Sequence, residues 1–238
     1  MLVVEIENRN PLLNVENLSA GYSDHNIIRN ISLDIFQGEI VGVFGHNGSG
    51  KSTFFKSVIG LLKNKRGIIR FNDQEIMSGN ISDNIKLGIG IVPQNNNIFP
   101  NLSVYECLQI ASLKKEQFLI EQIISDFPIL KDKQNQKAGS LSGGEQQILA
   151  LAMTLQLDPK ILLLDEPTAG LSPNMAKTVM ELIENLNKNF NKTIIIIEQN
   201  VFSALAVVER AIIFRHGKIV FDHQSSKLKN AKNLWDYF

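Results

Sequence analysis

Apolar residues fall in short, dense runs separated by polar turns, and the period of those runs changes along the chain. Leu12-Leu13-Asn14-Val15-Glu16-Asn17-Leu18 and Ile31-Ser32-Leu33-Asp34-Ile35 alternate apolar and polar, the pattern of strands with one solvated face. Ile40-Val41-Gly42-Val43-Phe44, Ile161-Leu162-Leu163-Leu164 and 193–197 are instead almost wholly apolar, as strands buried on both faces of a parallel sheet are. Segments 67–71 and 88–92 are further strands, and 211–214 and 218–221 form a hairpin through His216-Gly217. Helical spacing follows residue 53, with Phe54, Phe55, Val58 and Leu61, and returns in 104–113, 116–127, 146–157, 173–187 and 201–208. Ser103 and Glu106 are spaced as a capping box, and the stripe Phe118, Ile120, Ile123, Ile124 stops at Pro128. This alternation predicts an α/β fold, a mostly parallel sheet with helices on both faces. The opening strands add a small antiparallel β-subdomain. The expected organisation is a single domain: a core of 1–94 and 158–222, an inserted α-helical subdomain at 95–157, and a short helical tail at 223–238.

Composition removes several alternatives. With 24 basic and 24 acidic residues the net charge is zero, which gives no sign of nucleic-acid affinity. Cys107 is the single cysteine, so no intrachain disulfide forms, in keeping with a reducing compartment. The first residues carry Glu5 and Glu7 where a signal peptide needs a basic start. No apolar run approaches the roughly 20 residues that cross a bilayer. The chain is expected to be soluble and cytoplasmic, with any membrane role exercised through a partner.

The chemistry begins between strand 40–44 and the helix after it, at Gly45-His46-Asn47-Gly48-Ser49-Gly50-Lys51-Ser52, followed by Thr53. Strand, glycine-rich loop and helix are the context of the phosphate-binding pattern G-x-x-x-x-G-K-[ST]. The glycines let backbone N–H groups turn in around phosphate oxygens, and the helix start adds a positive dipole end. Lys51 supplies a point charge, and the Ser52 hydroxyl suits magnesium, a hard cation that prefers oxygen. A nucleoside triphosphate is the expected ligand. Asp165-Glu166 follow strand 161–164, where α/β folds place their ligands. Asp165 suits magnesium, and Glu166 suits proton abstraction from a water attacking the γ-phosphate. Leu141-Ser142-Gly143-Gly144-Glu145 opens helix 146–157, either as a capped helix start with flexible glycines or as a second anion-binding nest. One nucleotide needs one such cradle, so a second on an inserted lobe points to a nucleotide held by another subunit.

Taken together these motifs resemble the ATP-binding cassette (ABC) ATPases over about residues 12–221. The resemblance implies an ATP hydrolase with ATP and Mg2+. It further implies two subunits, identical or different, that sandwich ATP between one P-loop (45–53) and the other's Ser142, Gly143 and Gly144. Gln94 takes the place of the residue that contacts magnesium and the attacking water, and Tyr22 that of the aromatic stacked on adenine. Gln199 stands at the switch position, where histidine is usual; its amide can donate to a γ-phosphate oxygen but cannot carry a proton near neutral pH. Ser172 stands where aspartate is common and is also suited to cap a helix that starts at Pro173.

Leu18-Ser19-Ala20-Gly21-Tyr22, Ala169-Gly170-Leu171-Ser172-Pro173 and Glu198-Gln199-Asn200 resemble the ATP-binding subunits of importers for branched-chain amino acids, and of close relatives for urea or amides. Ile98-Phe99 and Leu102-Ser103-Val104-Tyr105 are shared with lipopolysaccharide-transport ATPases, which generally keep the switch histidine. The expected function is therefore an ATPase on the inner face of the cell membrane. It would drive a permease, with a solute-binding protein as a further partner and no nucleic acid. The alternative is an ABC ATPase of a lipid or lipopolysaccharide exporter, or one outside transport. The insertion at 95–157 is too short for the coiled coils of chromosome-maintenance relatives, and one cassette is fewer than translation-type proteins carry. Asn191-Lys192-Thr193-Ile194 lacks the aspartate with which a GTPase reads guanine.

Overall fold

The protein is described by a computed structural model that covers residues 10–22, 25–95, 97–112 and 117–229. Among the described residues ten strands form two sheets, and the parallel strands of the larger carry the site. That sheet contains β3 (Ile40–Phe44), β6 (Ile89–Val92), β7 (Ile161–Asp165), β8 (Thr193–Ile197), β9 (Arg210–Arg215) and β10 (Lys218–Gln224), in the order β10-β9-β3-β8-β7-β6. All its pairings are parallel except β9 with β10. That hairpin turns at His216 and Gly217, whose φ values of 50° and 75° give the two left-handed residues of a type I′ turn.

The smaller sheet is antiparallel, β2-β1-β4-β5, from β1 (Leu13–Tyr22), β2 (His25–Ile35), β4 (Lys65–Phe71) and β5 (Gln74–Glu75). The alternating opening segments are thus antiparallel as expected, and segment 67–71 joins them. Two short elements carry no usable period: β5 and α2 (Ile81–Lys86).

The all-apolar strands are buried on both faces because the large sheet separates two cores. Val41, Val43, Leu163, Ile195 and Ile197 face one core, shared with α1 (Lys51–Val58) and the small sheet. Ile40, Phe44, Leu162, Leu164, Ile194 and Ile196 face the other. The second core is closed by α3 (Val104–Ala111), α4 (Gln117–Asp126), α5 (Pro128–Lys131), α6 (Gly143–Leu155), α7 (Pro173–Phe190) and α8 (Val201–Leu205). Helices α3 to α6 all lie in the connection between the adjacent parallel strands β6 and β7.

Ser103 caps α3 through the complete capping box with Glu106. Pro128 ends α4 by starting the single turn α5. The tail opens as α9 (Ser225–Lys229); Trp235 and Phe238, like Leu113, Glu116 and the Phe118 side chain, lie outside the described residues. Among the described residues no helix is long and apolar enough to cross a membrane.

Candidate active site

The register of the large sheet aligns the ends of four strands. Val43, Ile197 and Asp165 share one row across β3, β8 and β7, and Val92 of β6 pairs with Leu164 of β7. The segments that leave these strands are therefore neighbours: the 45–52 loop, Gln94, Glu166 and Gln199. They occupy the carboxyl edge, where parallel sheets leave a crevice for ligands.

In the loop, Gly45, Gly48 and Gly50 have φ of 147°, 78° and 111°, values that a residue with a Cβ resists. Gly50 precedes α1, and a Cβ there would also lie 2.6 Å from Ile28 Cγ2. Lys51 is buried and folds back over the loop, its Nζ donating to the Gly45 carbonyl and to that of His46 at 3.1 Å. Burial pushes the Lys51 pKa down, and the charges of Glu166, Asp165 and Glu198 oppose that shift. The Ser49 hydroxyl is buried without a hydrogen-bond partner, while His46, Asn47, Gly48 and Ser52 are exposed and Thr53 is buried beneath them. A partly dehydrated ammonium, an unpaired hydroxyl and glycine-bent backbone fit an anionic phosphate group.

Asp165 completes this edge at the end of β7. Its pKa is raised, first by burial and then by the neighbouring Glu166 charge, with Lys51 and Lys56 pulling it back. A cation beside it would relieve that cost. No cluster of three or more His, Cys, Asp or Glu side chains exists among the described residues. A magnesium ion at Asp165 and Ser52 would thus draw its remaining oxygens from phosphate and water, as that ion commonly does.

Glu166 holds a φ of 50°, in the left-handed region where a non-glycine residue is under strain. Its N–H donates to the Ile197 carbonyl at 2.8 Å. Gln94 Nε2 donates to Oε2 at 2.6 Å, and Gln199 Nε2 donates to Oε1. Each carboxylate oxygen thus receives one amide. Gln199 does not cap the helix that follows; Asn200 does, its side chain accepting from Ser203 N.

Tyr22, at the end of β1, is 47% exposed and lies against Lys56 of α1. The Lys56 ammonium donates to its hydroxyl at 3.1 Å and stands 5.5 Å from its ring centroid, a cation–π distance. Ser142, Gly143 and Gly144 are held elsewhere, against α7. Ser142 accepts from Glu145 N in a second capping box, and Glu145 also pairs with Lys133. A Cβ on Gly144 would fall 1.8 Å from Met175 Cγ, and Gly143 faces Leu171. Ser172 caps α7, accepting from Met175 N at 3.4 Å, with Pro173 in the first turn.

Two residues that sequence reasoning passed over also belong to this edge, Thr168 and Glu198. An acid straight after the wholly buried β8 was the available signal for Glu198, akin to the one that marked Asp165 and Glu166 at and after the end of β7.

Comparison with known proteins adds the family. Residues 28–169 match the family described as ABC transporter. The chain is 39% identical over 221 residues to the probable branched-chain amino acid transport ATP-binding protein LivF of Archaeoglobus fulgidus, covering 91% of this chain and 94% of that protein. It is 34% identical to the high-affinity branched-chain amino acid transport ATP-binding protein BraG of Pseudomonas aeruginosa, over 93% of this chain and 97% of that one. The lipopolysaccharide export system ATP-binding protein LptB of Haemophilus influenzae is also 34% identical, over 94% and 95%. Among solved structures, cbiO1 of Clostridium perfringens, part of the ABC transporter complex cbiONQ, superposes with a TM-score of 0.83 at 29% identity, covering 94% of this chain and 92% of that chain.

Proposed function

Because the chain belongs to the ABC transporter family, as an ATP-binding and ATP-hydrolysing subunit, we propose that it drives a permease and that its own Glu166 is the base of the hydrolytic step. The observation that carries this reading is the double amide contact on Glu166, from Gln94 and Gln199, beside a loop whose lysine is already buried. Lys51 and the N–H groups of 45–53 hold the phosphates. Tyr22 takes the adenine, exchanging its Lys56 contact for the base. Magnesium, held by Ser52, Asp165 and Gln94, would neutralise charge on the phosphate oxygens.

Both carboxylate oxygens of Glu166 carry an amide donor in this arrangement, so one must be freed before a water can donate to it. Gln94 turning to the cation and Gln199 to the γ-phosphate would free both. Glu166 then takes the proton of the attacking water, and Gln199, which cannot hold a proton, only positions. Glu166→Gln is expected to lower turnover about 100-fold or more while ATP binding persists. Near-normal phosphate release by that variant removes Glu166 from the role.

The site closes, in this reading, when Ser142, Gly143 and Gly144 of a second subunit cover the nucleotide. The described residues of 95–157 form the helical arm that carries them, and those of 1–94 and 158–222 the core beneath it. The complex works at the inner face of the membrane. Import of branched-chain amino acids is favoured by the likeness to LivF and BraG and by Glu198-Gln199-Asn200 at the switch. Purification from membranes with the attached permease, followed by leucine uptake in vesicles, tests the substrate. Vesicles that hydrolyse ATP but take up no leucine overturn it.

A further inference from the structure

Among the described residues Glu198 is the only buried acid, at 2% exposure, and no role above uses its side chain. Its Oε1 accepts from Thr168 N at 2.9 Å and Thr168 Oγ1 at 2.6 Å. Its Oε2 accepts from Gln199 N at 3.2 Å. The Glu198 N–H donates to the carbonyl of Val43, two residues before the phosphate loop begins. One side chain thus joins the turn after Glu166 to the backbone of the switch, from a strand end tied to the loop.

The turn it grips is the one that sets Glu166. Ala169 N donates to the Glu166 carbonyl at 3.1 Å, and Leu171 N to that of Thr168 at 3.2 Å. Thr168 therefore anchors the turn whose first residue, Glu166, is held at φ 50°. Strained backbone of this kind persists only where its surroundings over-determine it. A buried carboxylate is costly, and burial pushes the Glu198 pKa up while its hydrogen bonds from Thr168, Asn200 and Gln199 oppose the shift. A neutral glutamine would satisfy fewer of those donors, which explains an acid at this position in chemical terms.

We propose that Glu198 is a positioning residue for ATP hydrolysis, fixing the backbones of Glu166 and Gln199 against each other so that their side chains meet beside the phosphate loop. It acts on the reaction through those two residues alone. The inference rests on Glu166 as the base.

The test uses the full chain and the isosteric change Glu198→Gln, which keeps the shape but turns one acceptor into a donor facing a donor. Its kcat is expected to fall about 10- to 100-fold, the scale of a small misplacement, with ATP affinity within about twofold. Thr168→Val, which removes one donor, should lower kcat by a smaller factor, and Thr168→Ser should restore it. The double variant Glu198→Gln/Thr168→Val should be no slower than Glu198→Gln alone, because both break one contact. Unchanged kcat in either Glu198→Gln or Thr168→Val overturns the proposal, as does a parallel loss of affinity and kcat. If Glu198→Gln does not fold, the Thr168 pair decides the matter. Turnover that survives Glu166→Gln defeats the base assignment instead, and is read independently of the Glu198 result.

Discussion

The phosphate loop and the start of α6 are both glycine-rich turns into a helix, yet their glycines do different work. Gly45, Gly48 and Gly50 are required by conformation, since each has a positive φ. Gly144 sits inside a helix with no such φ and is required by space, because Met175 occupies the volume a side chain would need. The first cradle also has its cation in place, Lys51 lying buried over its own carbonyls. The second has no cation of this kind, and its serine serves its own helix. Glycine at a helix start is therefore two different signals, and only the backbone angles separate them. The loop has the backbone and the cation to hold an anion alone, whereas in the proposed sandwich the α6 start would act on an anion brought to it.

This contrast can be broken by substitution. Lys51→Ala should have the largest effect, since an ammonium about 4 Å from a phosphate oxygen is worth about 4 kcal/mol at an effective dielectric near 20. ATP affinity of the single subunit, followed by equilibrium titration, should fall about 100-fold or more. Ser142→Ala should leave that affinity alone and slow turnover about 10-fold or more, the value of a hydrogen bond to a charged group. A drop in single-subunit affinity would make the two cradles equivalent and end the comparison. Gly144→Ala should destabilise the fold by about 1–3 kcal/mol through overpacking, read from the denaturant midpoint. Trimming Met175 to alanine in the same chain should recover part of that loss, which no conformational requirement at Gly144 would allow.

The smallest expected effect is in pH dependence, where the two regions have opposite signs. Asp165 at the loop has a raised pKa, so its contribution is fully present below the ordinary carboxylate range and is lost as pH rises through the raised value. Glu145 at α6 has a lowered pKa, chiefly from its hydrogen bond with Lys133, so its contribution is present above the ordinary range and is lost as pH falls through the lowered one. Asp165→Asn should therefore raise the melting temperature of the nucleotide-free chain at pH 7, and Glu145→Gln should lower it. The second difference should vanish in acid. Equal signs at pH 7 would show that the loop stores no electrostatic cost for its ligand to relieve.

Much of the site could be read in order along the chain because its chemistry is local. The 45–52 loop is a continuous string of residues with fixed backbone demands, and Asp165 and Glu166 announce themselves as acids at the end of a buried strand. The strands were equally legible, since burial on both faces leaves polar residues only at the ends of β7 and β8, Asp165 and Thr193, and none in β3. Short elements such as β5 and α2 were not, because two or six residues show no period.

By itself, then, the sequence determined the α/β class, the triphosphate loop, the pair of carboxylates and a second glycine-rich helix start. Each of these is a property of neighbouring residues. Tertiary structure decided which distant polar groups meet. Gln94, Glu166 and Gln199 lie far apart in the chain and share a carboxylate because parallel register aligns the ends of β6, β7 and β8. Likewise, an acid straight after a buried strand marks Glu198 as a candidate, but that local signal does not say whether its side chain is exposed or buried. Its burial and its grip on Thr168 exist only once β8 lies beside β7 and the turn after Glu166 folds over it.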